Sequence, residues 1–287
     1  MREARYFYVP QAGQRDELPS EEARHAVRVL RLVEGDEIFL IDGAGSFLRC
    51  TITLAAPHHC AYRVEETQAQ QPTWRGHIHL AIAPTKDMGR MEWMAEKATE
   101  VGWDEVSFLD TQFSERRSLR ADRIDKIVVA AMKQSRKAWK PVVNEMTSFR
   151  AFVDAHQEGR RFICHCYPEI ARQDFFDAIT AQQGDAAGAS DDITVLVGPE
   201  GDFSVEEVRY ALDRGYEPSA QGDGRTDGGR DGPAGPPQVA RPRAAARQRK
   251  QTDHSRESYY NTLFNLTDYA KKTVYPRCDA DGDLRLG

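Results

Sequence analysis

The 287-residue chain carries 39 basic and 45 acidic side chains for a formal charge of -6, which excludes a protein coated in positive charge. Any contact with nucleic acid must then come from local clusters of Arg and Lys. No apolar run approaches the ~18 residues that cross a bilayer, the opening Met1-Arg2-Glu3-Ala4-Arg5-Tyr6 lacks the apolar core of a secretion signal, and the five cysteines are scattered without a paired framework. The expectation is a cytoplasmic protein of two domains with free thiols, without membrane contact and without metal.

Residues 5–9 predict a strand, and Ser20-Glu21-Glu22 predicts the cap of a short helix running to about Leu32. On that helix Ala23, Ala26, Val27 and Leu30 share one face, and Arg24, Arg28 and Arg31 form a basic stripe on the other. Strands follow at 37–41, 47–52 and 61–65, separated by the turns Glu34-Gly35-Asp36 and Asp42-Gly43-Ala44-Gly45. Short strands and tight turns predict a small β-barrel. The polar run Gln68-Ala69-Gln70-Gln71-Pro72 marks a boundary, giving a first domain at 1–72 and a second at 73–218.

From His77 onward strand patterns at 77–83, 105–110, 161–167 and 192–197 alternate with helical patterns, the wiring of an α/β domain. A helix over 90–101 turns Met91, Met94, Ala95, Ala98 and Val101 inward and stops at Gly102, a natural left-handed cap. A second, over 121–137, turns Ile124, Ile127, Val128 and Ala131 inward. Glu92, Glu96 and Glu100 repeat at i, i+4 and i+8, a self-repelling ladder that calls for a basic partner such as Lys97. Cys164-His165-Cys166 has no second cysteine pair to complete a tetrahedral zinc site and reads as the end of a buried strand.

The most informative run is Ile193-Thr194-Val195-Leu196-Val197-Gly198-Pro199-Glu200-Gly201-Asp202-Phe203-Ser204, a strand, a glycine loop and then a helix. Ser204 and Glu207 have the spacing of a capping box, and Gly198 and Gly201 let the backbone approach a ligand. Spacing alone leaves an ordinary βα turn open. The residue string, however, resembles the cofactor loop of the ribosomal RNA small subunit methyltransferase E family, SPOUT-class enzymes that methylate N3 of a uridine in 16S rRNA. Arg5-Tyr6-Phe7, His25 to Arg31 with Gly35-Asp36, Lys86, Met91-Glu92-Trp93, Glu96 to Gly102, Ser114-Glu115-Arg116 and Gln134-Ser135-Arg136 resemble further landmarks of that family, in order, over residues 1–217.

The resemblance implies an α/β SPOUT domain of the trefoil-knot type preceded by a PUA-like RNA-binding barrel. It implies S-adenosylmethionine as cofactor, 16S rRNA or the small ribosomal subunit as partner, and a homodimer. Gly198, Pro199, Glu200 and Gly201, with Tyr167, would line the cofactor pocket. Arg5, Arg28, Arg31, Lys86 and Arg116 would meet RNA. The target base must be splayed from its stack before its N3 can be reached. Arg136 would steady the negative charge developing there, and a carboxylate such as Glu96 would take the proton.

The chain departs from the family beyond residue 218. Between Ser219 and Ser258 there is no Ile, Leu, Phe, Met, Tyr or Trp, and Gly222 to Arg230 stands where the family has the segment that completes the knot and the pocket. Residues 219–287 therefore predict an atypical, disordered tail and a knot left incomplete. Codons for Arg225 to Asp231 can be chosen whose neighbouring frame reads Val-Leu-Thr-Glu-Ala-Gly-Thr, which points to a change of reading frame. The competing expectation is an RNA-binding or vestigial protein that has lost the chemistry.

Overall fold

The computed structural model describes residues 5–74, 76–180 and 191–220. The expected tail lies outside these residues except for its first two positions.

The N-terminal unit is built on a four-stranded sheet in the order β1-β2-β3-β4, with β1 Tyr6–Tyr8, β2 Glu37–Ile41, β3 Ser46–Ala55 and β4 Cys60–Ala69. β1 runs parallel to β2, and the other pairs are antiparallel. Alternation puts Ile38, Leu40, Leu48, Cys50 and Ile52 inward, where Ala23 and Ala26 cover them. These two alanines come from α1, Ser20–Arg24, and the wider π turn that continues it through His25–Val29. The predicted helix is thereby shortened. Ser20 is its first residue rather than its cap, Pro19 standing at the N-cap without a side-chain cap bond, and Arg31 has left the helix in a left-handed conformation at φ 54°. The π turn and that exit break the i, i+4, i+7 register expected for Arg24, Arg28 and Arg31, although all three side chains are exposed.

The second unit is a parallel seven-stranded sheet in the order β7-β6-β5-β10-β8-β11-β9. Its strands are β5 Ile78–Ile82, β6 Glu105–Asp110, β7 Val142–Ser148, β8 Arg160–Cys164, β9 Gln173–Asp174, β10 Ile193–Val197 and β11 Glu217–Ala220. Helices α2 Met88–Val101, α3 Ala121–Ser135 and α5 Phe175–Thr180 cover one face through Met91, Met94, Ile124, Val128 and Ile179. Helices α4 Phe149–Ala155 and α6 Val205–Leu212 cover the other through Phe152, Val153, Val208 and Ala211. Such burial on both faces explains why β5 and β10 are continuous apolar runs. Among the described residues no helix is long and apolar enough to cross a membrane.

α2 ends at Gly102 with φ 105°, the left-handed cap that the sequence predicts. Glu92 pairs with Arg123 at 2.5 Å, and Lys97 lies 2.8 Å from both Glu96 and Glu100, so the acidic ladder has its basic partners. The strand expected over 161–167 stops at Cys164. β11 runs through Ala220, and Ser219 is fully buried, so the chain stays ordered two residues past the expected start of the tail. β11 lies between β8 and β9, which residues 165–172 join across it.

The two units meet at the C-terminal end of α3. Gly45, at φ 98°, lies against the Trp139 indole so closely that an added Cβ would stand 2.4 Å from the ring, and its amide donates to the Ala138 carbonyl at 3.0 Å. Lys133 Nζ donates to Glu22 Oε1 at 2.6 Å across the same junction.

Candidate active site

β10 delivers its loop, residues 198–201, to the carboxyl edge of the sheet, where open α/β folds take ligands. Gly198 is tightly packed, since a Cβ there would lie 3.0 Å from the Phe203 backbone nitrogen and 3.1 Å from the Asp202 carbonyl carbon, and that backbone would have to give way. Gly201 has only the Phe113 Cβ within 4 Å of such an atom, at 3.4 Å, so packing does not demand a glycine there. α6 opens with the predicted capping box, Ser204 Oγ accepting from Glu207 N and Glu207 Oε2 accepting from Ser204 N.

Four segments converge on this loop. Glu200 Oε1 accepts from the Lys86 amide at 3.0 Å, which ties the loop to the end of β5. Arg116 donates to the carbonyls of Thr85 at 3.2 Å and Lys86 at 2.7 Å, and the Lys86 ammonium stands 3.1 Å from Glu115. Gln112 N donates to Glu207 Oε1 at 2.9 Å, fixing the 111–117 segment to α6. Beyond β8, the Tyr167 hydroxyl donates to the Phe203 carbonyl at 2.7 Å. Asp202, a non-glycine residue at φ 66°, accepts from the amides of Cys166 and Phe203 at 2.7 Å each. The structure thus brings Tyr167, expected at the cofactor, and Lys86 and Arg116, expected at RNA, together beside residues 198–201.

Two groups at this edge escaped the sequence reading. His165 is 3% exposed, its Nδ1 accepts from Tyr167 N at 3.3 Å, and its Nε2 has no partner among the described residues. Ser219 is fully buried on β11, and its Oγ is likewise unpartnered. Burial holds the His165 imidazole below the usual histidine range. Buried polar atoms left unsatisfied are rare, and a bound ligand is one explanation of them. The signal in the sequence was Cys164-His165-Cys166, set aside as a zinc site and read as the end of a buried strand. Among the described residues no group of three or more His, Cys, Asp and Glu is arranged to hold a metal ion.

Arg136 and Glu96 are not brought to this edge. α3 starts after the carboxyl end of β6 and runs back to the amino end of β7, so Arg136, its left-handed C-cap, stands at the opposite edge of the sheet. There its guanidinium lies 5.3 Å over the Tyr6 ring. A strand of five residues separates the two edges by about 16 Å. Glu96 lies midway along α2 in its pair with Lys97. Within the described chain neither residue reaches residues 198–201. In the N-terminal unit Arg28 and Arg31 are exposed, whereas Arg5 is half-buried and donates to the Leu30 carbonyl at 3.3 Å, holding the end of the helical segment.

Comparison with known proteins gives this geometry a family. The family model for an RNA methyltransferase domain matches residues 72–223, and that for an RNA methyltransferase PUA domain matches residues 18–64. A curated relative, ribosomal RNA small subunit methyltransferase E of Synechocystis, is 27% identical over 71% of this chain, which spans 66% of that relative's length. The crystal structure of a probable rRNA-methyltransferase from Porphyromonas gingivalis is 38% identical with a TM-score of 0.67, covering 77% of this chain and 91% of its own. Ribosomal RNA small subunit methyltransferase E from Neisseria gonorrhoeae, solved bound to S-adenosyl methionine, shares the fold at 22% identity and a TM-score of 0.65, over 78% of this chain and 91% of its own. With its sheet, its glycine loop and its N-terminal unit each matched in this way, the chain belongs to the RNA methyltransferase family.

Proposed function

We propose that the chain transfers a methyl group from S-adenosylmethionine to N3 of a uridine in 16S rRNA, as part of ribosome biogenesis. The observation that carries this reading is the pair of orphaned buried atoms, His165 Nε2 and Ser219 Oγ, at the edge where residues 198–201 leave the sheet. A ligand with adenine nitrogens, ribose hydroxyls and an amino acid end offers partners to such groups, so the residues present fit this cofactor. Gly198, Pro199, Glu200, Gly201 and Tyr167 would hold it beside His165. The cofactor supplies an activated methyl group on sulfur.

The remaining work falls to the chain's own residues. Methyl transfer needs in-line placement more than a nucleophile, and the bonds among Glu200, Lys86, Arg116 and Glu207 fix the surrounding segments before substrate arrives. Lys86 and Arg116 are the cations at this edge suited to steady the negative charge on the uridine ring as N3 loses its proton. Arg28 and Arg31, with Arg5 bracing their segment, grip phosphates of the small-subunit RNA, and the working form is a homodimer. The second reading, RNA binding without transfer, is favoured by one feature, the departure of residues 222–230 from the family pattern.

The test is calorimetry with S-adenosylmethionine followed by methyl transfer to small-subunit rRNA, the product being mapped by reverse transcription, which an N3-methyl group blocks on the pairing edge. Cofactor binding and a single stop at a uridine are expected. RNA binding with no cofactor binding would select the second reading.

A further inference from the structure

Arg136, left without a role at the cofactor edge, lines a cleft of about 100 Å³ at the junction of the two units. Phe47 of β3 and Gln70, Gln71 and Thr73 of the linker form one side. Trp103, Asp104, Lys137 and Trp139 form the other. Neither Arg136 nor Lys137 has a carboxylate partner among the described residues, whereas their neighbours Lys133 and Lys140 are both paired. The Lys137 ammonium is partly buried, and that burial alone depresses its pKa. Asp104 also lines the cleft, but no ion pair joins it to either cation, its Oδ2 accepting instead from Ile78 N at 2.8 Å and Trp74 Nε1 at 3.2 Å.

Aromatic surface adjoins these cations. The Trp139 indole is 43% exposed while its Nε1 donates to the Gln70 carbonyl at 3.2 Å, which fixes the ring as a wall. Phe47 packs edge-on against Tyr6 at 5.8 Å, and Tyr6 carries Arg136 on its face. Unpaired cations beside fixed rings, with glutamine amides between them, match the requirements of a sugar-phosphate backbone with an unstacked base.

We propose that this junction cleft is a second RNA site, taking a phosphodiester of the substrate RNA on Lys137 and Arg136 with the neighbouring sugar or base against Trp139. The proposal rests on the methyltransferase reading for the identity of the RNA. Because the cleft is at the amino edge of the sheet, a strand's length from residues 198–201, the nucleotide held there stands more than one position along the strand from the methylated one. The site measures a distance along the RNA and so contributes to the choice of target.

The test is binding of the full chain, without cofactor, to a small-subunit rRNA transcript over a range of salt, comparing wild type with Lys137→Gln, Lys137→Arg and Arg136→Gln/Lys137→Gln. Lys137→Gln should weaken binding several-fold and lower the slope of log affinity against log salt by about 0.7 to 0.9, the double variant by about twice that, and Lys137→Arg should keep the slope. Removing a partly buried, unpaired ammonium relieves a desolvation penalty, so the thermal midpoint of Lys137→Gln should not fall. RNA carrying 4-thiouridine should crosslink within residues 136–141. Unchanged slope and affinity in both Gln variants, with Arg28→Ala still lowering them, overturns the junction site and leaves the methyltransferase reading intact. No binding of the transcript by wild type overturns both.

Discussion

Lys133 Nζ lies 2.6 Å from Glu22 Oε1, joining α3 of the methyltransferase unit to the first helix of the PUA-like unit, with side-chain exposures of 28% and 14%. Removing one partner strands a partly buried charge, which costs about 1–3 kcal/mol. A double-mutant cycle of Glu22→Gln and Lys133→Met should give a coupling energy near 1 kcal/mol, and Glu22→Gln alone should expose the linker around residues 70–73 to protease. A coupling below about 0.3 kcal/mol would class the pair with ordinary surface contacts.

The two loop glycines should part company on substitution. Gly198→Ala forces a Cβ against the backbone of Asp202 and Phe203 and is expected to destabilise by about 1–3 kcal/mol and to abolish cofactor binding. Gly201→Ala meets only the Phe113 Cβ and should leave the thermal midpoint within a few degrees while still lowering S-adenosylmethionine affinity. Equal losses of stability in the two variants, measured by thermal denaturation, would contradict the packing argument.

His165→Phe replaces an unsatisfied buried imidazole with an apolar ring. Without cofactor the variant should be as stable as wild type or more so, because a desolvated group without a partner is removed. The stabilisation that S-adenosylmethionine confers on wild type should shrink, with affinity down about tenfold, the effect of one lost hydrogen bond. Full retention of that stabilisation would exclude His165 from the pocket.

His79, on β5, is 3% exposed, and burial lowers its pKa from 6.5 to about 4. The unfolded chain therefore takes up a proton between pH 6.5 and 4 that the folded chain refuses, so stability falls on acidification through this window, by on the order of 3 kcal/mol. His77, raised by its 2.8 Å bond to Glu105, acts in the opposite sense but is half exposed and screened. Glu105 itself, lowered to about 2, loses its contribution only below about pH 4.5. Denaturant titrations of His79→Gln against wild type should show a flatter profile for the variant between pH 6.5 and 4. Parallel profiles would remove His79 as the cause.

What was legible in the sequence followed the strength of local signals. Residues 193–197 and 88–101 are long apolar or amphipathic patterns closed by Ser204 and Gly102, and the structure keeps them. β7 went unread because Val-Val-Asn-Glu-Met-Thr-Ser is an edge strand with no fully buried position, so neither alternation nor an apolar run marks it. The position of Arg136 in space was illegible for a different reason. Its motif resembled a catalytic landmark, but which edge of a sheet a helix terminus reaches depends on chain direction, and only the order β6-α3-β7 reveals it. His165 was visible as a residue but not as an orphan, since a missing partner is a property of three-dimensional packing.

The position of β11 bears on how this chain reaches its native state. β8, the connection 165–172 and β9 all precede it, yet the strand fills the gap between β8 and β9, about 10 Å wide at ordinary strand spacing. Until residues 217–220 have emerged from the ribosome, both flanking strands present unpaired N–H and C=O groups, the kind of edge that recruits foreign strands. Pro218 offers β8 and β9 no amide hydrogen, so the inserted strand is secured by few bonds. Closure is a late, non-local event, and such pairings set the slowest step of folding. Refolding speed should accordingly track the insertion of these four residues rather than the assembly of the sheet around them, and a nascent chain paused before Glu217 is the species most exposed to aggregation.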